Sequence, residues 1–204
     1  WAHAWTPGGR STIGLHPHHG FEICTFVLKG NINHFDTKLN KWVKLNEGDV
    51  QIIRSGNGIS HSEEILENSE IFQIWFDPDL SKSLKRSATY NDYKRSDFKK
   101  SVANGVKIIK IHDSNGKAWM DSEGVCINDL YFETKISFEI KIKKNKIHSF
   151  FLIDGHISLG NKEVYKGDFF TIKDLKSVQL DVKKSSRLFE VSSPVTPSYK
   201  TYFN

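Results

Sequence analysis

The chain has 204 residues, of which 38% are hydrophobic and 12% aromatic, and a formal net charge of +5. That length suits one large domain or two of about 100 residues each, with enough apolar side chains for a real core. No run approaches the roughly 18–20 consecutive apolar residues of a spanning helix, and no stretch has the basic, apolar, small-residue order of a signal peptide. A first residue of Trp rather than Met predicts that the natural chain extends beyond Trp1. Cys24 and Cys126 match no metal or redox spacing, which predicts two reduced thiols in a cytoplasmic protein.

Charge is unevenly spread. Residues 1–77 hold six Lys/Arg against nine Asp/Glu, whereas residues 78–204 hold 23 against 15. The basic residues of the second part alternate with apolar ones, as in Phe138-Glu-Ile-Lys-Ile-Lys-Lys, the pattern of a strand with one wet face. No recognition helix or aromatic stacking motif points to nucleic acid.

In chain order, the first half reads as short strands near 22–28, 31–35, 50–53, 59–63 and 70–76, punctuated by Gly turns at Gly30, Gly48, Gly56 and Gly58. Residues 77–104 are polar and charged and read as a connector with one short helix. Strands resume near 106–111, 124–128, 130–136, 138–142, 148–153, 156–159, 168–172, 178–182 and 187–191. The second half repeats part of the first: Phe151-Leu-Ile-Asp-Gly-His-Ile-Ser parallels Phe26-Val-Leu-Lys-Gly-Asn-Ile-Asn, and Lys166-Gly-Asp-Phe parallels Glu47-Gly-Asp-Val. The expectation is an all-β chain of two tandem antiparallel β-barrel domains: 1–85, a connector at 86–104, and 105–204.

Six of the nine histidines fall within the first 61 residues. His16 and His18 are spaced i, i+2, and so are His61 and Glu63. On extended chain such pairs project from one face, roughly 6–7 Å apart. Two pairs on facing strands can bring three imidazoles and a carboxylate to one point. That set suits Fe, Mn, Ni, Cu or Zn better than Ca or Mg. Glu22 shares parity with His16 and His18, so spacing leaves it open as the carboxylate. His34 reads as a surface or rim group, and His3 and His112 as lacking partners. Trp42, Trp75 and Trp119 read as core or cover residues. His148 and His156 are isolated, so the second domain reads as metal-free.

His16-Pro-His-His-Gly-Phe-Glu with Leu28-Lys-Gly-Asn-Ile-Asn-His, then Gly48-Asp-Val-Gln and Gly56-Asn-Gly-Ile-Ser-His-Ser-Glu, followed by Phe72-Gln-Ile-Trp-Phe, resemble the motifs of the pirin family within the cupin superfamily. The resemblance is strongest over 14–77. It implies a bicupin with one divalent metal, Fe(II) first, in the N-terminal barrel, with His16, His18, His61 and Glu63 as ligands and Glu22 in a supporting role. It further implies a quercetin 2,3-dioxygenase-like activity on a small aromatic flavonol, with Glu63 as the catalytic base. Its alternative is a non-enzymatic, iron-dependent regulatory protein that works through a protein partner. His19, Arg54 and Asn57 depart from the family pattern at positions expected to flank the metal mouth, which leaves substrate preference open.

Overall fold

The structure is a computed structural model and describes residues 1–202. The chain divides into two compact units. Unit 1 comprises Trp1–Asp97, Trp119–Ser122 and the residues from Tyr199 on; unit 2 comprises Phe98–Ala118 and Glu123–Ser198.

Unit 1 holds β1 (Ala2–Thr6), β2 (Ser11–His18), β3 (Glu22–Lys29), β4 (Asn31–Asp36), β5 (Lys41–Asn46), β6 (Val50–Arg54), β7 (Ile59–Ile65), β8 (Ser69–Phe76), a one-turn helix α1 (Leu80–Ser83) and β9 (Thr89–Tyr93). Its strands form two antiparallel sheets, β1-β8-β3-β6-β9 and β2-β7-β4-β5. Unit 2 holds β10 (Lys99–Ala103), β11 (Val106–His112), β12 (Cys126–Phe132), β13 (Ile136–Lys141), β14 (Lys146–Asp154), β15 (His156–Leu159), β16 (Lys162–Tyr165), β17 (Phe169–Ile172), β18 (Ser177–Val182) and β19 (Ser186–Pro194). Here the sheets are β10-β11-β12-β19-β14-β17 and β13-β18-β15-β16.

The architecture is therefore the expected all-β pair of antiparallel, jelly-roll-like units. The sheets stay open at their edges, so each unit is a two-sheet sandwich rather than a continuous barrel. Alternation of burial follows the sequence pattern. In β4, Ile32, His34 and Asp36 point inward; in β13, Phe138 and Ile140 are buried while Ser137, Glu139 and Lys141 are exposed. The alternating lysine-bearing strand thus presents its charges to water.

Several segments depart from the sequence expectation; β1, β2, β5 and β16 are strands where none was expected. Residues 86–104, read as a connector, supply β9 to unit 1, paired with β6, and β10 to unit 2, paired with β11. The separate strands expected at 124–128 and 130–136 are one strand, β12, because Asp129 is no turn: it lies in register with Phe189 and Ile109 and holds Arg187.

The two units share local devices. Gly30 (φ +68°) and Gly155 (φ +114°) each follow a buried strand, and a Cβ on either would lie 2.3 Å or less from a serine hydroxyl, Ser69 or Ser186. Only glycine fits such a turn. Each serine Oγ accepts the next backbone amide, from Asn31 at 2.9 Å and from His156 at 3.1 Å. The internal repeat seen in the sequence is thus also a repeat of hydrogen bonds.

Candidate metal centre

A β-bulge aims the first histidine pair. Ser11, Thr12 and Ile13 of β2 pair with Ile65, Glu64 and Glu63 of β7, but the register then shifts, so that His16 pairs with His61 and His18 with Ile59. One extra residue on β2 turns His16 and His18 onto the face shared with His61. Their rings converge: centroids lie 4.8 Å apart for His16 and His18, 4.5 Å for His16 and His61, and 4.9 Å for His18 and His61. One ring nitrogen from each lies within 4.8 Å of the others.

The protonation state suits metal binding. His16 Nδ1 donates to the Gly14 carbonyl at 2.7 Å, which leaves Nε2 with its lone pair. Burial first, then the neighbouring imidazoles, push His18 down to about 4 and His61 down to about 3, so both are neutral near pH 7. His18 Nε2 and both nitrogens of His61 are buried and have no protein partner. Unpartnered nitrogens of this kind are costly in a protein interior, and a divalent ion would satisfy them. Three convergent imidazoles, two of them kept neutral by burial, fit a transition metal.

Glu63 is buried beside them. Its side chain accepts from Gln73 Nε2 at 3.1 and 3.2 Å and from Thr25 Oγ1 at 3.3 Å. Burial raises its pKa, and these hydrogen bonds oppose the rise. Both donors come from the other sheet, where Thr25 and Gln73 are register partners. Glu63 falls within 4.8 Å of His61 and His34, forming a second trio that shares His61 with the first.

The structure corrects the sequence reading of His34. It is 0% exposed rather than a rim group, because β4 pairs with β7 and sets His34 opposite Glu63. His3 and His112 both have partners: His3 Nε2 lies 2.6 Å from Glu70 Oε1, and His112 Nδ1 lies 2.7 Å from Ala118 O. Trp42, Trp75 and Trp119 are about half exposed, not core residues. Trp75 packs its ring edge-on 4.6 Å from His18 and donates to Gln73 Oε1 at 3.0 Å. Thr25 and Gln73 carry no sequence signal of their own, and Trp75 reads from sequence only as a core or cover residue; the even alternation Ile32, His34, Asp36 is the signal available for His34.

Glu22 is tied elsewhere. Its carboxylate accepts Asp121 N at 2.7 Å, Ser122 N at 2.8 Å and Ser122 Oγ at 2.5 Å. Gly20 (φ +79°) interrupts the strand after His18, so parity does not carry across to Glu22, which lies on the opposite face of β3 from Thr25. Arg54, expected at the metal mouth, is buried. It donates to Thr89 Oγ1 and the Trp119 carbonyl, and its guanidinium lies 4.1 Å from the Trp119 ring centroid.

Comparison with known proteins bears on the same region. A profile of the Pirin family matches residues 5–76. Quercetin 2,3-dioxygenase of Escherichia coli (strain K12) is 41% identical over 70 residues, which span 33% of this chain and 30% of that protein. The chain thus covers under a third of that curated relative. Among solved structures, quercetin 2,3-dioxygenase from Acinetobacter baumannii superposes with a TM-score of 0.81 at 17% identity, covering 98% of this chain and 75% of that one. The bacterial pirin YhhW of E. coli in complex with nickel(II) gives 0.73 at 18% identity, covering 95% and 80%. These two likenesses carry the fold alone. Over residues 5–76, about a third of its length, the chain is similar to the pirin family.

Proposed function

We propose that unit 1 binds one divalent metal ion, Fe(II) before Mn, Ni, Cu or Zn, through His16, His18, His61 and Glu63, and that the loaded protein cleaves a flavonol such as quercetin with O2. The observation that carries this reading is the convergence of three imidazoles, with His18 Nε2 and both nitrogens of His61 buried and without a protein partner. Similarity to a quercetin 2,3-dioxygenase, 41% identity over 70 residues, supports the choice of substrate.

When bound, the ion would supply Lewis acidity that polarises an enolic oxygen and lowers its pKa. The protein's own groups do the rest. Gly14 O fixes the tautomer of His16. Gln73 and Thr25 hold the Glu63 carboxylate, which would accept the proton leaving the substrate's enolic hydroxyl. Trp75, half exposed beside His18, offers a flat apolar face to a planar ligand.

The test is to load the protein anaerobically with Fe(II), mix it with quercetin in air and follow the visible absorbance of the flavonol. Loss of absorbance that depends on Fe(II) and vanishes in His61→Ala is expected. A fully loaded protein that leaves quercetin unchanged beyond the buffer rate would refute the enzymatic reading.

A further inference from the structure

We propose that a divalent ion in unit 1 has a second, deeper position, held by His34, His61 and Glu63, and exchanges between it and the outer position at His16 and His18. The proposal deepens the metal-binding reading above and rests on it for the outer position only.

The inner set is chemically complete. Two imidazoles and one carboxylate offer donor atoms within 4.8 Å of one another, and all three side chains are buried. Such a set suits divalent transition metals. His34 is oriented as metal-ligating histidines usually are. Its Nε2 lies 3.1 Å from Asp36 Oδ2, so that nitrogen carries the proton. Asp36 is itself held by the amides of Lys38 at 2.8 Å and Leu39 at 2.7 Å. The lone pair is therefore on His34 Nδ1, which is buried and has no protein partner.

His61 supplies the link. Both of its nitrogens are buried without a partner. An ion in the outer position would take one and leave the other unsatisfied beside His34, whose ring centroid is 5.5 Å away. Two ions at once would share His61 and Glu63 and repel across a short, poorly screened gap. Single occupancy with two positions follows. The outer position includes the partly exposed His16, whereas every inner ligand is buried. An ion resting inside would be shielded from solvent, and a chelating ligand arriving at the mouth would draw it outward.

The experiment is Co(II) binding by equilibrium dialysis and visible absorption, in the unaltered protein, in His16→Gln/His18→Gln, and in that double variant with His34→Gln added. The double variant should keep one equivalent of Co(II) with an altered spectrum, and the triple variant should bind at least about 100-fold more weakly. A double variant that binds no Co(II) while the unaltered protein does, or a triple variant that binds as well as the double, overturns the inner position and spares the outer one. A double variant that matches the unaltered protein in affinity and spectrum removes the outer position and overturns the exchange. Circular dichroism and a cooperative melt check folding. Should the double variant not fold, proton NMR of the Co(II)-loaded unaltered protein decides. A hyperfine-shifted exchangeable signal lost in His34→Gln supports the proposal, and a hyperfine spectrum indifferent to that substitution overturns it.

Discussion

Asp49 in unit 1 and Asp168 in unit 2 do the same work. Each accepts a backbone amide three residues earlier, Asn46 N at 3.0 Å and Tyr165 N at 2.8 Å. The glycine before each aspartate donates to a strand carbonyl, Gly48 to Val27 and Gly167 to Leu152, both at 2.8 Å. Each of those strands then shifts register, between Val27 and Lys29 in one unit and between Leu152 and Asp154 in the other. The interiors nevertheless differ. Unit 2 is filled by one broad apolar cluster that includes Leu130, Phe132, Phe150, Leu152, Leu180 and Leu188. Among the described residues, unit 1 has smaller clusters, around Val27, Ile32 and Leu45 and around Ile23, Ile53 and Ile59, while Phe26, Ile52, Phe72 and Ile74 are buried outside them. His18, His34, Asp36, His61 and Glu63 are buried in that unit as well. One set of backbone hydrogen bonds thus supports either a packed core or a polar centre, because turns and ladders fix the chain path while inward side chains are free to vary.

The largest expected effect probes the packed side of this contrast. Phe150 is fully buried and stacks on Phe170 at 4.9 Å, so Phe150→Ala should cost about 3–5 kcal/mol by denaturant unfolding. A loss below about 1 kcal/mol would show that unit 2 is not held by this cluster.

On the polar side, His61→Ala should weaken Fe(II) or Co(II) binding by at least about 100-fold, roughly 2.7 kcal/mol, while the chain still melts cooperatively. The unaltered protein should carry close to one equivalent by elemental analysis. Absence of a cooperative transition in the variant would make the centre structural, as in small zinc domains.

The two buried glutamates sharpen the comparison within unit 1. Glu63→Gln should lower metal affinity by about 10–100-fold, read by Co(II) titration. Glu22→Gln should leave it within about tenfold, yet lower stability by about 1–3 kcal/mol, because three donors then face a neutral amide. The reverse pattern would assign the ligand role to Glu22.

The smallest effect tests the shared turn. Asp168 is exposed, and Asp168→Ala should cost only about 0.5–1.5 kcal/mol for the lost bond to Tyr165 N. Asp49→Ala should cost more, since the buried Asp49 also holds Lys94 Nζ at 2.8 Å and Arg95 N at 3.2 Å. Equal costs would mean that the additional contacts of Asp49 contribute nothing.

Much of this was legible in the sequence because it is local. Period-two alternation and Gly-Asp turns placed most strands, and the parallel between residues 26–33 and 151–158 exposed the repeat. The i, i+2 steps of His16 with His18 and of His61 with Glu63 singled out the centre. Tertiary structure alone decided the rest. A one-residue bulge set the face of His16 and His18, and the positive φ of Gly20 broke the parity that had made Glu22 a rival to Glu63. His34 came inside because β4 pairs with β7, and residues 119–122 joined unit 1 because Glu22 accepts their amides across some 100 positions of chain. Spacing along a chain encodes which side chains share a face. It does not encode which face meets which, since that depends on pairings between distant segments.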